Sequence, residues 1–279
     1  MVKILVFDTE TTGIGPIGIS QELTYDQKRF AEKSLIDKNL NVSLKQWEQW
    51  FQTWPRITQL SYIVYDTDNP GYAKIFNKYI DIDESVEIEE GASKVTRIYT
   101  TEEDAIRKGV DPNSEGVFIL SKIKKNDSEH VVPIGHAITD FLIDFNECEY
   151  IVGHNVDFDK KMILSELKRL EWIDEMEAIL SRNNFVCTMT QMTHICKINS
   201  ISKAGKPYHK FPRLSEAYEK LFGYFPTGNA LHNAVIDVVI CLRIFCKMGR
   251  PFNFDVCGTN AEITELINSI SSQEFKYSS

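Results

Sequence analysis

Val6-Phe7-Asp8-Thr9-Glu10-Thr11-Thr12-Gly13 closes an apolar run that starts at Met1 and carries one lysine, Lys3. β-branched and aromatic residues in near-unbroken succession predict a strand buried on both faces. Side chains alternate along a strand, so Asp8 and Glu10 fall on the same side. Neighbouring carboxylates repel, and burying them unpaired is costly. A hard divalent cation with oxygen ligands relieves both problems. The alternative is a solvated strand end before a turn at Gly13. Two further acidic stretches, far down the chain, favour the cation.

At 279 residues the chain suits one large domain or one domain with insertions. Hydrophobic residues at 43% and charged residues at 25% are ordinary for a soluble globular protein. No apolar run reaches the length of a membrane span, so no membrane partner is expected. The strand starts at Met1 and leaves no room for a signal peptide, which predicts an intracellular, cytoplasmic protein. The six cysteines form no CxxC pair and read as reduced thiols. A net charge of −9 argues against coating long duplexes. It does not exclude a nuclease, because a carboxylate site is negative until metals fill it.

Residues 14–55 interrupt the expected strand pairing. Ser43-Leu44-Lys45-Gln46 reads as a capping box opening a helix that Pro55 stops. Trp47, Trp50 and Trp54 share one face of that helix. They form either a packing stripe or a stacking surface for single-stranded bases. Strands at 57–66 and 72–82 complete a meander with the first. Pro133 suits the first turn of a helix, and 150–153 reads as another buried strand. A helix from about Phe158 follows, with Asp157 as its N-cap. Residues 185–193 read as a strand or irregular stretch. Residues 197–213 are basic, without an acid, and read as a loop that is either solvated or a phosphate contact. Residues 231–248 form an apolar helix, and 260–270 a helix in the tail. These elements predict a domain over 1–250 with an insertion at 14–55, and a C-terminal extension, helical in part, over 251–279.

A helix as apolar as 231–248 has little reason to hold Asp237 unless the carboxylate has work there. His232 lies five residues earlier, about 140° around a helix, so it belongs on the loop just before. Phe7-Asp8-Thr9-Glu10-Thr11-Thr12-Gly13, His154-Asn155-Val156-Asp157-Phe158-Asp159 and His232-Asn233-Ala234-Val235-Ile236-Asp237 together resemble the three exonuclease motifs of the DnaQ-like, DEDDh family. The last matches the family's HxAxxD pattern, and the three occur in the family's order.

The resemblance implies an α/β, RNase H-like fold: a mixed five-stranded sheet flanked by helices, with the acids clustered at the sheet's edge and a helical insertion after the first strand. It implies a metal-dependent 3′–5′ exonuclease that hydrolyses terminal phosphodiesters of DNA or RNA and releases 5′-mononucleotides, as in proofreading or repair. By position, Asp8, Glu10, Asp157 and Asp237 resemble the metal-holding acids and His232 the general base. Asn233 stands where a sister subclass has tyrosine, so the histidine subclass is the match. Two Mg²⁺ or Mn²⁺ ions, about 4 Å apart, suit such a site. Asp8 is expected to bridge them, with Glu10 and Asp237 completing one site and Asp157 serving the other. Thr11, Thr12 and Ile14 are expected at the terminal nucleotide and Asn155 at the second motif. The expected partner is a nucleic-acid 3′ end, single-stranded given the acidic chain, with a DNA polymerase or a second copy as further partners. Two rivals stand beside this. Asp8-Thr9-Glu10-Thr11 loosely resembles the aspartyl-nucleophile signature of haloacid-dehalogenase phosphatases, which would leave Asp157, His232 and Asp237 unexplained. The other is a catalytically weak module with a nuclease fold that binds nucleic acid or a polymerase.

Overall fold

The computed structural model describes residues 2–14, 54–226 and 233–271. Most of the 14–55 insertion, with Trp47 and Trp50, lies outside the described residues, as does His232.

Strands β1 (Lys3–Thr11), β2 (Ile57–Asp66) and β3 (Ala73–Ile80) form the expected antiparallel meander. A peripheral lobe follows. It comprises α1 (Glu90–Thr96), β4 (Ile98–Tyr99), α2 (Glu102–Arg107), β5 (Phe118–Ile119) and α3 (Leu120–Asn126), with β4 and β5 paired in parallel. The chain then re-enters the main sheet through β6 (Val131–Val132), and α4 (Ile134–Glu147) starts directly after Pro133. Next come β7 (Tyr150–Gly153), α5 (Val156–Arg169), α6 (Ile173–Ser181), β8 (Phe185–Cys187) and α7 (Thr188–Cys196). Strands β9 (Asn199–Ile201) and β10 (Pro207–His209) form a separate hairpin. Helices α8 (Leu214–Phe222), α9 (Ala234–Lys247) and α10 (Ala261–Ser271) end the described chain.

The main sheet has the order β6-β3-β2-β1-β7-β8. Only β2 runs against its neighbours: β7 is parallel to β1, β8 to β7 and β6 to β3. This is the mixed, helix-flanked sheet of an RNase H-like fold, with one strand more than expected. The extra strand, β6, is two residues long and sits at the edge. It is too short to register as a periodic signal in the sequence.

Alternation along β1 divides the core. Leu5 and Phe7 pack on Ala137, Ile138 and Phe141 of α4 and on Met162 and Ile163 of α5. Ile4 and Val6 pack on Val238, Val239, Leu242 and Phe245 of α9, and Ile263 and Ile267 of α10 join that same cluster. Burying this apolar area on both faces holds the central strand rigid, at about 25 cal/mol per Å². All six cysteines are free thiols, and burial pushes the Cys148 thiol up to about 12. Among the described residues no helix is long and apolar enough to cross a membrane.

Three local expectations are corrected. Residues 188–196 are helical, although threonine-rich and β-branched sequence is a weak helix former. Met192 anchors that helix among Tyr218, Ile236 and Ile240. Residues 197–213 hold a hairpin rather than a loop. The helix expected from about Phe158 starts at Val156, which changes the reading of the second acidic motif.

Candidate active site

Period-two alternation continues from Ile4 and Val6 to Asp8 and Glu10, so both carboxylates face α9. Asp237 lies in the first turn of α9 and comes to meet them. Carboxylate oxygens of Asp8, Glu10 and Asp237 all lie within 4.8 Å of one another. The cluster sits at the C-terminal end of β1, in the middle of the sheet rather than at its side edge.

The fourth carboxylate next to this cluster is Asp159, not Asp157. Asp159 is 3% exposed, and its Oδ1 accepts both the Thr9 backbone N–H (3.0 Å) and the Thr9 hydroxyl (2.8 Å). Asp157 is exposed. Two positions along an α-helix are about 200° apart, so the two aspartates cannot face the same way. The cause is local. Asn155, not Asp157, is the N-cap, in a left-handed conformation (φ 74°) that asparagine tolerates better than most residues. The helix therefore starts two residues earlier than expected, and Asp159 joins Met162, Ile163 and Glu166 on the buried face. Gly153 permits this turn, since a Cβ there would stand 3.1 Å from the Val156 side chain.

The helix register is locked from its far end. Buried Glu166 accepts the Ile57 N–H (3.1 Å) and pairs with Arg169 (2.8 Å), while Arg169 donates to the carbonyls of Trp54 and Pro55. His154 ties down the other side. Its Nε2 lies 3.0 Å from the Pro212 carbonyl, which can only accept, so that nitrogen carries a proton. Burial pushes the imidazolium down, so the ring is neutral and Nδ1 accepts the Thr188 hydroxyl at 3.0 Å.

A polar ladder outside the three motifs positions α9. Gln59 pairs with Glu10 across the β1–β2 ladder. Its Nε2 donates to Asn77 Oδ1 (2.8 Å) and Asn233 Oδ1 (3.3 Å), and its Oε1 accepts the Ala234 N–H (3.4 Å). Asn233 in turn caps the helix by accepting the Val235 N–H (3.2 Å). Ser61 also donates to Asn77 (2.7 Å). Sequence reasoning passed over Gln59. A glutamine in an otherwise apolar buried strand was the available signal. Gln59→Met preserves volume but removes these bonds. It is expected to lower turnover about 10- to 100-fold, the usual range for groups that orient ligands. Steady-state rates measured beside an unchanged circular-dichroism spectrum check this.

The other site expectations lie as follows. Thr11 and Thr12 are buried. The Thr11 hydroxyl donates to the Gly13 carbonyl (2.6 Å), and the Thr12 hydroxyl accepts the Arg56 N–H (2.9 Å). Both shape the strand end, while Ile14 is exposed just beyond. Asn155 is exposed at the start of α5.

The electrostatics are those of crowded carboxylates. Burial raises Asp8 to about 7. Burial, then the charges of Asp8, Asp237 and Asp159, hold Glu10 well above the carboxylate range. Burial and then Asp8 do the same to Asp159, against the two Thr9 hydrogen bonds. Among the described residues no cation pairs with Asp8, Glu10 or Asp159. The N-termini of α5 and α9 bring partial positive charge to this end of the sheet, worth only about 0.3–1 kcal/mol each. That is too little to offset several half-buried carboxylates around buried Asp159. An all-oxygen donor set of this charge suits a hard divalent cation.

No family model and no curated protein matches the chain. Among solved structures, a moderately thermophilic Exonuclease I from Methylocaldum szegediense is 12% identical with a TM-score of 0.44, over 98% of this chain and 43% of its own. E. coli Exonuclease I in complex with a dA16 oligonucleotide is 15% identical with a TM-score of 0.40, over 90% of this chain and 42% of its own. The chain thus spans less than half the length of these structures. The fold assignment rests on the strand order above.

Proposed function

We propose that this chain is a metal-dependent 3′–5′ exonuclease acting on single-stranded nucleic-acid ends. One observation carries the reading: Asp8, Glu10 and Asp237, from opposite ends of the sequence, converge within 4.8 Å, with buried Asp159 beside them. The three motifs of the DEDDh resemblance supply the same acids, with Asp159 in place of Asp157.

In this reading Asp8, Glu10 and Asp237 would hold a divalent cation, with Asp159 beside them able to take part in holding a second. When bound, such a pair supplies the positive charge that steadies the attacking and leaving oxygens of a phosphodiester. The chain's own contributions are distinct. The rigid strand β1 fixes Asp8 and Glu10. Thr9 aims Asp159 from behind. Gln59 and Asn233 set where α9 begins, and so where Asp237 stands. His232, immediately before Asn233 in sequence, accepts a proton from the attacking water, work that suits a neutral imidazole near pH 7. The exposed Ile14, just past the end of β1, borders the place for a terminal nucleotide.

The test is a time course on 5′-labelled single-stranded DNA and RNA with Mg²⁺, Mn²⁺ or EDTA. Stepwise shortening that keeps the label, stopped by EDTA, supports the proposal and reports the sugar preference. Absence of cleavage in every metal removes it.

A stability signature follows from the raised carboxyls. A buried acid whose folded pKa lies above its unfolded value favours the folded state below the unfolded pKa. That stability is lost as pH rises through the folded pKa. For Asp8 this window runs from about 4 in the unfolded chain to about 7 in the folded one. The metal-free melting temperature is therefore expected to fall between about pH 4 and pH 7. Mn²⁺ should raise it, more at pH 8 than at pH 5.5, because only ionised carboxylates ligate. Thermal melts in EDTA and in Mn²⁺ measure both, and a metal shift independent of pH would count against the cluster.

A further inference from the structure

The hairpin β9–β10 plays no part in the chemistry above, yet its composition is unlike that of its surroundings. From Lys197 to Arg213 there are four lysines, one arginine and one histidine and no acid, in a chain of net charge −9. The two strands are closed by a turn in which the Ser202 N–H donates to the Lys206 carbonyl and Gly205 takes φ +75°. Pro207 pairs with Ile201 and His209 with Asn199. No residue of either strand is buried. Ile201 is 74% exposed, Tyr208 49% and Phe211 59%. Among the described residues Lys203 and Lys206 have no acidic partner, whereas Lys210 is taken up by Glu216 at 2.7 Å.

A single exposed apolar residue needs no explanation. Ile201 and Tyr208 on one short hairpin and Phe211 just past it, with Lys203 and Lys206 at its turn, do. Open aromatic faces with flanking cations are what single-stranded nucleic acid requires: bases stack, and phosphates sit on the charges. The hairpin is also joined to the acid cluster. Its base runs into Pro212, whose carbonyl receives His154 Nε2–H, and His154 immediately precedes the Asn155 cap of the helix that carries Asp159.

We infer that the β9–β10 hairpin is a landing surface for single-stranded nucleic acid, with Tyr208 and Phe211 stacking on bases and Lys203 and Lys206 meeting phosphates upstream of the end held at the acid cluster. Only that direction, end at the acids and strand over the hairpin, rests on the nuclease reading.

The full chain and two double variants, Lys203→Ala/Lys206→Ala and Tyr208→Ala/Phe211→Ala, test it. Binding of fluorescein-labelled dT16 is followed by anisotropy in Ca²⁺ across a salt series, and cleavage of dT16 and dT3 is followed in Mn²⁺. All four side chains are exposed, so the variants should melt with the parent. The lysine variant should flatten the salt slope by about 1.4, at roughly 0.7 per lost phosphate contact on a single strand. The aromatic variant should weaken binding about 5- to 150-fold for each stacked base lost. Both should raise KM for dT16 while leaving kcat, and cleavage of dT3, as in the parent. Weakened binding in a protein that cleaves nothing would retain the surface and remove the nuclease. Parent-like binding and salt slope in both variants would overturn the inference, even if cleavage is intact, and would leave the hairpin to a protein partner.

Discussion

Asp159→Asn is expected to lower cleavage by more than about 100-fold, and Asp157→Asn to leave it within about twofold of the parent. The magnitude follows from comparison. Groups that merely orient metal ligands cost 10- to 100-fold when removed, so a carboxylate that itself donates to a metal should exceed that range. The asparagine variant is the informative one. Its side-chain oxygen can still accept the N–H and hydroxyl of Thr9, which Asp159 Oδ1 accepts now. Alanine would leave both donors buried and unsatisfied, at about 1–3 kcal/mol, and would confuse folding with chemistry. Asparagine removes the charge alone. Because burial and Asp8 together hold the Asp159 carboxyl high, the metal-free variant should melt no lower than the parent at pH 8. At position 157 the side chain stands in solvent on the opposite side of α5, and surface substitutions of this kind usually stay within ±0.5 kcal/mol. Rates on labelled single strands, with melts alongside, decide between the two aspartates. Full activity in Asp159→Asn would return the role to Asp157 or dissolve the fourth ligand altogether.

The two aspartates also mark where the sequence stops being legible. The meander, the buried strand at 150–153 and the apolar helix of Asp237 could all be read from periodicity, because each rests on apolar side chains whose spacing is the fold's own period. The convergence of Asp8, Glu10 and Asp237 followed from spacing on β1 and from motif order. What failed was a helix start displaced by two residues, set by the left-handed cap at Asn155 and the close Gly153–Val156 approach. Neither is periodic, and on a helix two residues reverse a side chain's direction. Gln59 was missed for a related reason: its partners Asn77 and Asn233 lie 18 and 174 residues away. The hairpin at 199–209 was equally opaque, since none of its strand residues is buried and alternation carries no signal where neither face meets a core.

Asp8→Asn should abolish cleavage and, at the same time, make the metal-free protein more heat-stable. Asp8, Glu10 and Asp237 each offer an oxygen within 4.8 Å of the other two, but it is the charge of Asp8 that raises both Glu10 and Asp159. Removing it takes a shared ligand from any bound cations, so the loss of rate should be at least that expected for Asp159→Asn. Removing it also relieves repulsion within the half-buried cluster. Glu10 and Asp159 then ionise at lower pH and cost less folding free energy near neutrality. In EDTA at pH 8 the variant should melt above the parent, at roughly 2–4 °C per kcal/mol for a protein of this size. In Mn²⁺ the parent should rise and the variant should not, so that the order of the two melting curves reverses. That crossover separates a functional cluster from a merely acidic one. A surface patch of carboxylates would lose neither activity nor its metal response when one member is neutralised, and a structural carboxylate would lower the melting point in both buffers. If Asp8→Asn melts below the parent in EDTA and still responds to Mn²⁺, the cluster serves the fold, and the nuclease chemistry must be sought elsewhere on the chain.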